Sequence, residues 1–128
     1  MPLKVLVADD QKMTRMMVEK LLTHRGCDVT TVSDGRQAIA FAKEEAYDLI
    51  ITDIMMPEIE GIEVVSEVIN ENIDVKVIAM TSEGNVGHTS FLKIAETHGA
   101  SGSIRKPFTP EELIEKIKEV GLTMPDGK

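Results

Sequence analysis

The chain has 128 residues and a formal charge of −8, from 14 Lys+Arg against 22 Asp+Glu, with 42% hydrophobic and 28% charged residues. That length makes one domain with a core that needs no disulfides, and the composition is globular rather than disordered. Acidic residues outnumber basic ones in both halves (12 to 7 in residues 1–64, 10 to 7 in 65–128), so no basic patch is offered to nucleic acid or to an anionic membrane.

Residues 3–8 are a nearly continuous apolar run, as in a strand covered on both faces. Met13, Met17, Val18, Leu21 and Leu22 then share one helical face, and Gly26 is a C-terminal stop. The Met13, Met16 and Met17 group reads as core and flank packing of that helix rather than a metal box. Residues 28–32 are a shorter, more polar strand near a sheet edge, and Ser33 caps a helix that turns Ala38, Ile39 and Ala42 inward. Residues 48–52 form the third strand. Met55, Met56 and Pro57 leave it as a loop, with Gly61 free to take a positive backbone angle. Ile62, Val65 and Ile69 mark a third helix, and residues 75–80 a fourth strand. Two glycines within residues 83–88 predict a mobile loop before a fourth helix, which carries Leu92 and Ala95 and stops at Gly99. Residues 101–105 are a fifth strand on the strength of the alternation. The last helix has Thr109 as cap, Pro110 at its first position and Glu112 three after the cap, with Leu113, Ile114, Ile117 and Val120 as its buried stripe.

Five strands alternating with five helices predict right-handed crossovers and an α/β fold, a doubly wound parallel sheet with helices on both faces. The domain occupies residues 1–120, and 121–128 are a C-terminal tail. No apolar run approaches the ~18 residues of a membrane span, and the N-terminus lacks a signal-peptide pattern. The lone Cys27 fits a reducing cytoplasm. With no Trp, one Tyr and three Phe, base stacking or a flat aromatic cofactor is disfavoured.

In such a sheet, ligands bind outside the carboxyl ends of the strands. Asp9 and Asp10 follow the first strand, Asp53 the third, Thr81 and Ser82 the fourth, and Lys106 with Pro107 the fifth. A single Asp in such a place is ordinarily a cap or turn residue; the weight comes from four strands delivering polar groups to one edge. Three crowded carboxylates repel one another, and a hard divalent cation such as Mg²⁺ removes the conflict. His24, His88 and His98 are scattered and read as surface residues, and Cys27 has no partner, so a zinc or copper site is not expected. With Mg²⁺ bound, one carboxylate could attack phosphorus. Asp53, alone on a central strand, is the candidate nucleophile. Asp9 and Asp10 are the better metal ligands, and Lys106 and Thr81 would receive phosphoryl oxygens.

Asp9-Asp10, Asp53, Met56-Pro57 with Gly61, Thr81-Ser82 and Lys106-Pro107-Phe108 together resemble the receiver domain of bacterial response regulators, over about residues 3–120. The resemblance implies a flavodoxin-like fold with strand order 2-1-3-4-5 and phosphorylation of Asp53 by a histidine kinase or histidine phosphotransfer protein. It implies Mg²⁺ held by Asp10, Asp53 and the carbonyl of Met55, with Asp9 supporting through water. It also implies a cis Lys106–Pro107 bond, Thr81 closing on the phosphoryl group, and Lys106 pairing with it. Two departures fall on the output face. Ser103 stands where the family often has an aromatic switch residue, and the stretch from Thr81 to Lys106 is a few residues long.

The reading is a cytoplasmic, single-domain regulator with no attached output domain, of the chemotaxis type, acting on a target protein through residues 84–120. Ser103 mildly favours a phosphate-shuttling relay protein. An inert receiver-like interaction domain is the next alternative. A phosphohydrolase of the haloacid dehalogenase type would need an Asp where Met55 stands, so no activity beyond self-phosphorylation and self-dephosphorylation is expected. A flavodoxin would need a hydroxyl- and glycine-rich loop where Asp9 and Asp10 stand.

Overall fold

A computed structural model describes residues 3–53, 66, 67, 70, 75–81 and 99–123. In chain order these contain β1 (Lys4–Ala8), α1 (Lys12–His24), β2 (Asp28–Val32), α2 (Gly35–Glu44), β3 (Leu49–Asp53), β4 (Lys76–Thr81), β5 (Gly102–Arg105) and the C-terminal helix α3 (Pro110–Glu119). Ser66, Glu67 and Asn70 are helical, inside the stretch expected to form the third helix. The rest of that helix, the helix around Leu92 and Ala95, Ser82, the loop at 83–88 and residues 124–128 lie outside the described residues.

The strands form one sheet in the order β2-β1-β3-β4-β5, every pair parallel. This is the expected flavodoxin-like topology, with the polar β2 at an edge. Successive side chains of a strand point to opposite faces, and the core divides accordingly. Val5, Val7, Leu49, Ile51, Ile78 and Met80 pack on one face against Val18 and Leu22 of α1 and Leu113 and Ile117 of α3. Leu6, Ala8, Ile50 and Val77 pack on the other against Ala38 and Ala42 of α2. Each fully buried aliphatic side chain contributes roughly 1.5–3 kcal/mol, so the central strands are held from both sides. Gly102 lets α3 lie close to β5: a Cβ there would come 3.0 Å from Val120 Cγ1.

The start of α3 is as expected. Glu112 N–H donates to Thr109 Oγ1 at 3.1 Å, and Thr109 N–H donates to Glu112 Oε1 at 2.8 Å. Gly26 ends α1 with φ 92°. The start of α2 differs from expectation. Asp34, not Ser33, is the N-cap, because its carboxylate reaches Gln37 N–H at 2.9 Å; Gln37 Oε1 in turn accepts from Ser33 N–H at 3.0 Å.

The methionines of α1 also differ. Met13, Met16 and Met17 are 82%, 54% and 41% exposed. Val18 and Leu22 set the buried line of α1. At about 100° per residue, Met17 stands about a third of a turn from that line and Met13 and Met16 on the far side. The apolar face drawn from the sequence was therefore too wide.

Candidate functional site

Register builds the site. Ala8 pairs with Thr52, so Asp9, the next residue, comes level with Asp53. Asp53 pairs with Met80, and Thr81 with Arg105. Asp53 and Thr81 are therefore the last residues of β3 and β4 rather than the first residues beyond them, one position later than the sequence suggests. Lys106 leaves β5 with its N–H bonded to the Thr81 carbonyl at 2.7 Å, and its bond to Pro107 is cis.

Asp9, Asp53, Thr81 and Lys106 are all buried. Such groups are tolerated inside a protein only when paired, and the pairing is direct. The Lys106 ammonium donates to Asp9 Oδ2 at 2.8 Å and to Asp53 Oδ2 at 3.2 Å. A third bond runs to Gln11 Oε1 at 3.1 Å. Asp10 is exposed, yet its carboxylate belongs to the same group: ligand oxygens of Asp9, Asp10 and Asp53 lie within 4.8 Å of one another. Among the described residues three carboxylates face one ammonium, an excess of negative charge with a solvent-facing side at Asp10. Hard oxygen donors in that excess suit a divalent cation such as Mg²⁺, which keeps several waters and takes one or two carboxylates.

The structure thus brings together Asp9, Asp10, Asp53 and Lys106, and puts Thr81 at the end of the strand next to β3. The Met55 carbonyl lies outside the described residues. Two residues were missed from the sequence. Gln11 bonds Lys106, and its N–H donates to Asp9 Oδ1 at 2.8 Å. Arg15 Nη1 donates to the Asp9 carbonyl at 2.8 Å, tying α1 to the turn that carries Asp9 and Asp10. Nothing in the residue order signals Gln11; Arg15 could have been found as the polar residue about one helical turn before Val18 and two before Leu22, on their side of α1. Next to the site, Gln11, Met13, Met17, Lys106, Pro107 and Phe108 line a cavity of about 490 Å³. Ser103 is partly buried in β5 opposite Ala79.

Residues 5–118 match the family described as the response regulator receiver domain. Among curated proteins, a probable transcriptional regulatory protein, TcrX of Mycobacterium tuberculosis, is 32% identical over 131 residues, spanning 98% of this chain and 54% of its own. This chain spans about half the length of the first curated relatives it matches. Among solved structures, the chemotaxis response regulator CheY4 of Vibrio cholerae superposes with a TM-score of 0.85 at 33% identity, covering 94% of this chain and 99% of that one. The receiver domain of a sensor histidine kinase from Pseudomonas aeruginosa, with a magnesium ion coordinated in its active-site cleft, gives 0.82 at 26% identity, covering 95% and 100%. The chain belongs to the response regulator receiver domain family and is a CheY-like module of two-component signal transduction.

Proposed function

We propose that this receiver domain accepts a phosphoryl group on Asp53 from a phosphohistidine carried by a histidine kinase or histidine phosphotransfer protein. A carboxylate oxygen of Asp53 attacks phosphorus, the phosphorus–nitrogen bond of the donor breaks, and its electron pair leaves on the imidazole. Lys106, already beside Asp53, neutralises charge on the transferring group, and the Thr81 hydroxyl closes on one of its oxygens. Asp10, Asp53 and the Met55 carbonyl would hold Mg²⁺, with Asp9 supporting through water. The ion would offset charge on the phosphoryl oxygens. The observation that carries this reading is the buried Asp9–Lys106–Asp53 bridge with Asp10 at its open side.

The product adds about −1.5 to −2 charges to a site already in negative excess, so Thr81 and the chain that follows it reorganise and shift the population of a partner-binding face within residues 84–120. Ser103 removes the usual aromatic coupling to Thr81, which favours a relay that passes phosphate onward. A donor protein reaching Asp53 covers the cavity beside Lys106, and with it Met13 and Met17. The acidic chain acts in the cytoplasm, on protein partners rather than on nucleic acid or membrane. No helix among the described residues is long and apolar enough to cross a membrane.

Incubation with Mg²⁺ and a small acyl phosphate, followed by mass spectrometry, tests the chemistry. One phosphoryl group is expected, absent in Asp53→Ala. No gain in the wild type, or a gain that survives the substitution, refutes the assignment. Back-transfer to a histidine domain faster than target binding supports the relay.

A further inference from the structure

We propose that Gln11 is a positioning residue: it holds Lys106 at the mouth of the site and is the acceptor that Lys106 gives up to the incoming phosphoryl group. The proposal rests on the reading of Asp53 as phosphoacceptor. An ammonium has three N–H donors. Those of Lys106 go to Asp9 Oδ2 at 2.8 Å, Gln11 Oε1 at 3.1 Å and Asp53 Oδ2 at 3.2 Å. Its donors are all engaged, so a phosphoryl oxygen gains one only by displacing an acceptor already there.

The three acceptors are unequal. Two are carboxylates, and charge-assisted bonds are roughly twice as strong as neutral ones. Asp9 is fully buried, so losing its ammonium would leave a charge without water. Asp53 carries the phosphoryl group, which keeps Lys106 near it. Gln11 alone is neutral and exposed, and its released carbonyl is taken over by water. The exchange of Gln11 for phosphoryl is the cheapest of the three.

The side chain of Gln11 also has little other work. Gln11 stands at the N-cap of α1 with extended backbone but makes no side-chain cap bond. Among the described residues its Oε1 otherwise accepts only from the Thr14 hydroxyl, at 3.4 Å. Its backbone N–H is held by Asp9 Oδ1 and its carbonyl by Arg15 N–H, and neither bond depends on the side chain.

Two substitutions in the full chain therefore act in opposite directions. Gln11→Glu makes the surrendered bond charge-assisted, and the rate of phosphorylation by a small acyl phosphate at saturating Mg²⁺ should fall about tenfold. Gln11→Met keeps the side-chain length and leaves the third N–H to water, so no protein acceptor has to be displaced and the rate should rise severalfold. A merely structural role would slow both and lower both melting temperatures. A second readout is the Gln11 side-chain amide signal in nuclear magnetic resonance. It should move on loading the wild type with Mg²⁺ and beryllofluoride, and move to the same position in unloaded Lys106→Met. Both variants slowed alike, both unchanged within twofold, or a Gln11 signal indifferent to loading would overturn the proposal while leaving Asp53 as acceptor. A wild type that accepts no phosphoryl group would overturn the parent reading.

Discussion

Lys106→Met removes the ammonium that the buried Asp9 and Asp53 carboxylates share and keeps a side chain of similar bulk. At an effective dielectric near 20, the contacts at 2.8 and 3.2 Å correspond to about 6 and about 5 kcal/mol of gross attraction. Most of that is offset by the cost of desolvating the three charges. Breaking a buried pair by deleting one partner leaves a net loss of about 3–5 kcal/mol. With Mg²⁺ removed by a chelator, the variant should unfold at a urea concentration lower by about 2 M, given a slope of about 1–3 kcal/mol per molar. Added Mg²⁺ should then stabilise the variant more than the wild type, because three carboxylates without an ammonium bind a cation more tightly, and an ion at a hundredfold its Kd adds about 2.7 kcal/mol. Paired urea titrations with chelator and with excess Mg²⁺ measure both effects. An unchanged midpoint in chelator, or equal Mg²⁺ increments in the two proteins, would refute the account of Lys106 as internal counter-ion.

Asp10→Ala should weaken Mg²⁺ binding at least tenfold by calorimetry with little change in stability, since Asp10 is exposed; unchanged affinity removes it from the ligand set. Met13→Glu should slow transfer from a histidine phosphotransfer protein severalfold yet spare phosphorylation by a small acyl phosphate, because it charges the apolar surface beside Lys106. Thr109→Ala removes the capping box of α3 and should cost about 1 kcal/mol, read as a lower melting temperature. Burial pushes the Cys27 thiol up. The unfolded chain releases that proton near pH 8.5 while the folded chain keeps it, so this contribution to stability is present below that pH and lost as pH rises through the folded value. Denaturant titrations at neutral and alkaline pH should show the loss in the wild type and a smaller one in Cys27→Ala.

Residue order alone determined the alternation of strands and helices, because period and turn chemistry are local properties. The capping box at Thr109, the stop at Gly26 and the double-sided apolar strands were all readable without coordinates. So were Asp9, Asp10, Asp53, Thr81 and Lys106 as a set, since a parallel sheet collects whatever ends its strands. Boundaries were less readable. Asp53 and Thr81 look like loop residues because they are polar, yet strand pairing carries one residue further. The methionines of α1 look like core because hydrophobicity does not say which side of a helix is covered; Val18 and Leu22 decide that by packing on the sheet. Gln11 shows the same limit from the polar side. Gln11 lies 95 residues from Lys106 along the chain, and no local pattern links them. Only the parallel sheet, by setting the end of β5 beside the turn after β1, put one lysine within reach of two carboxylates and an amide.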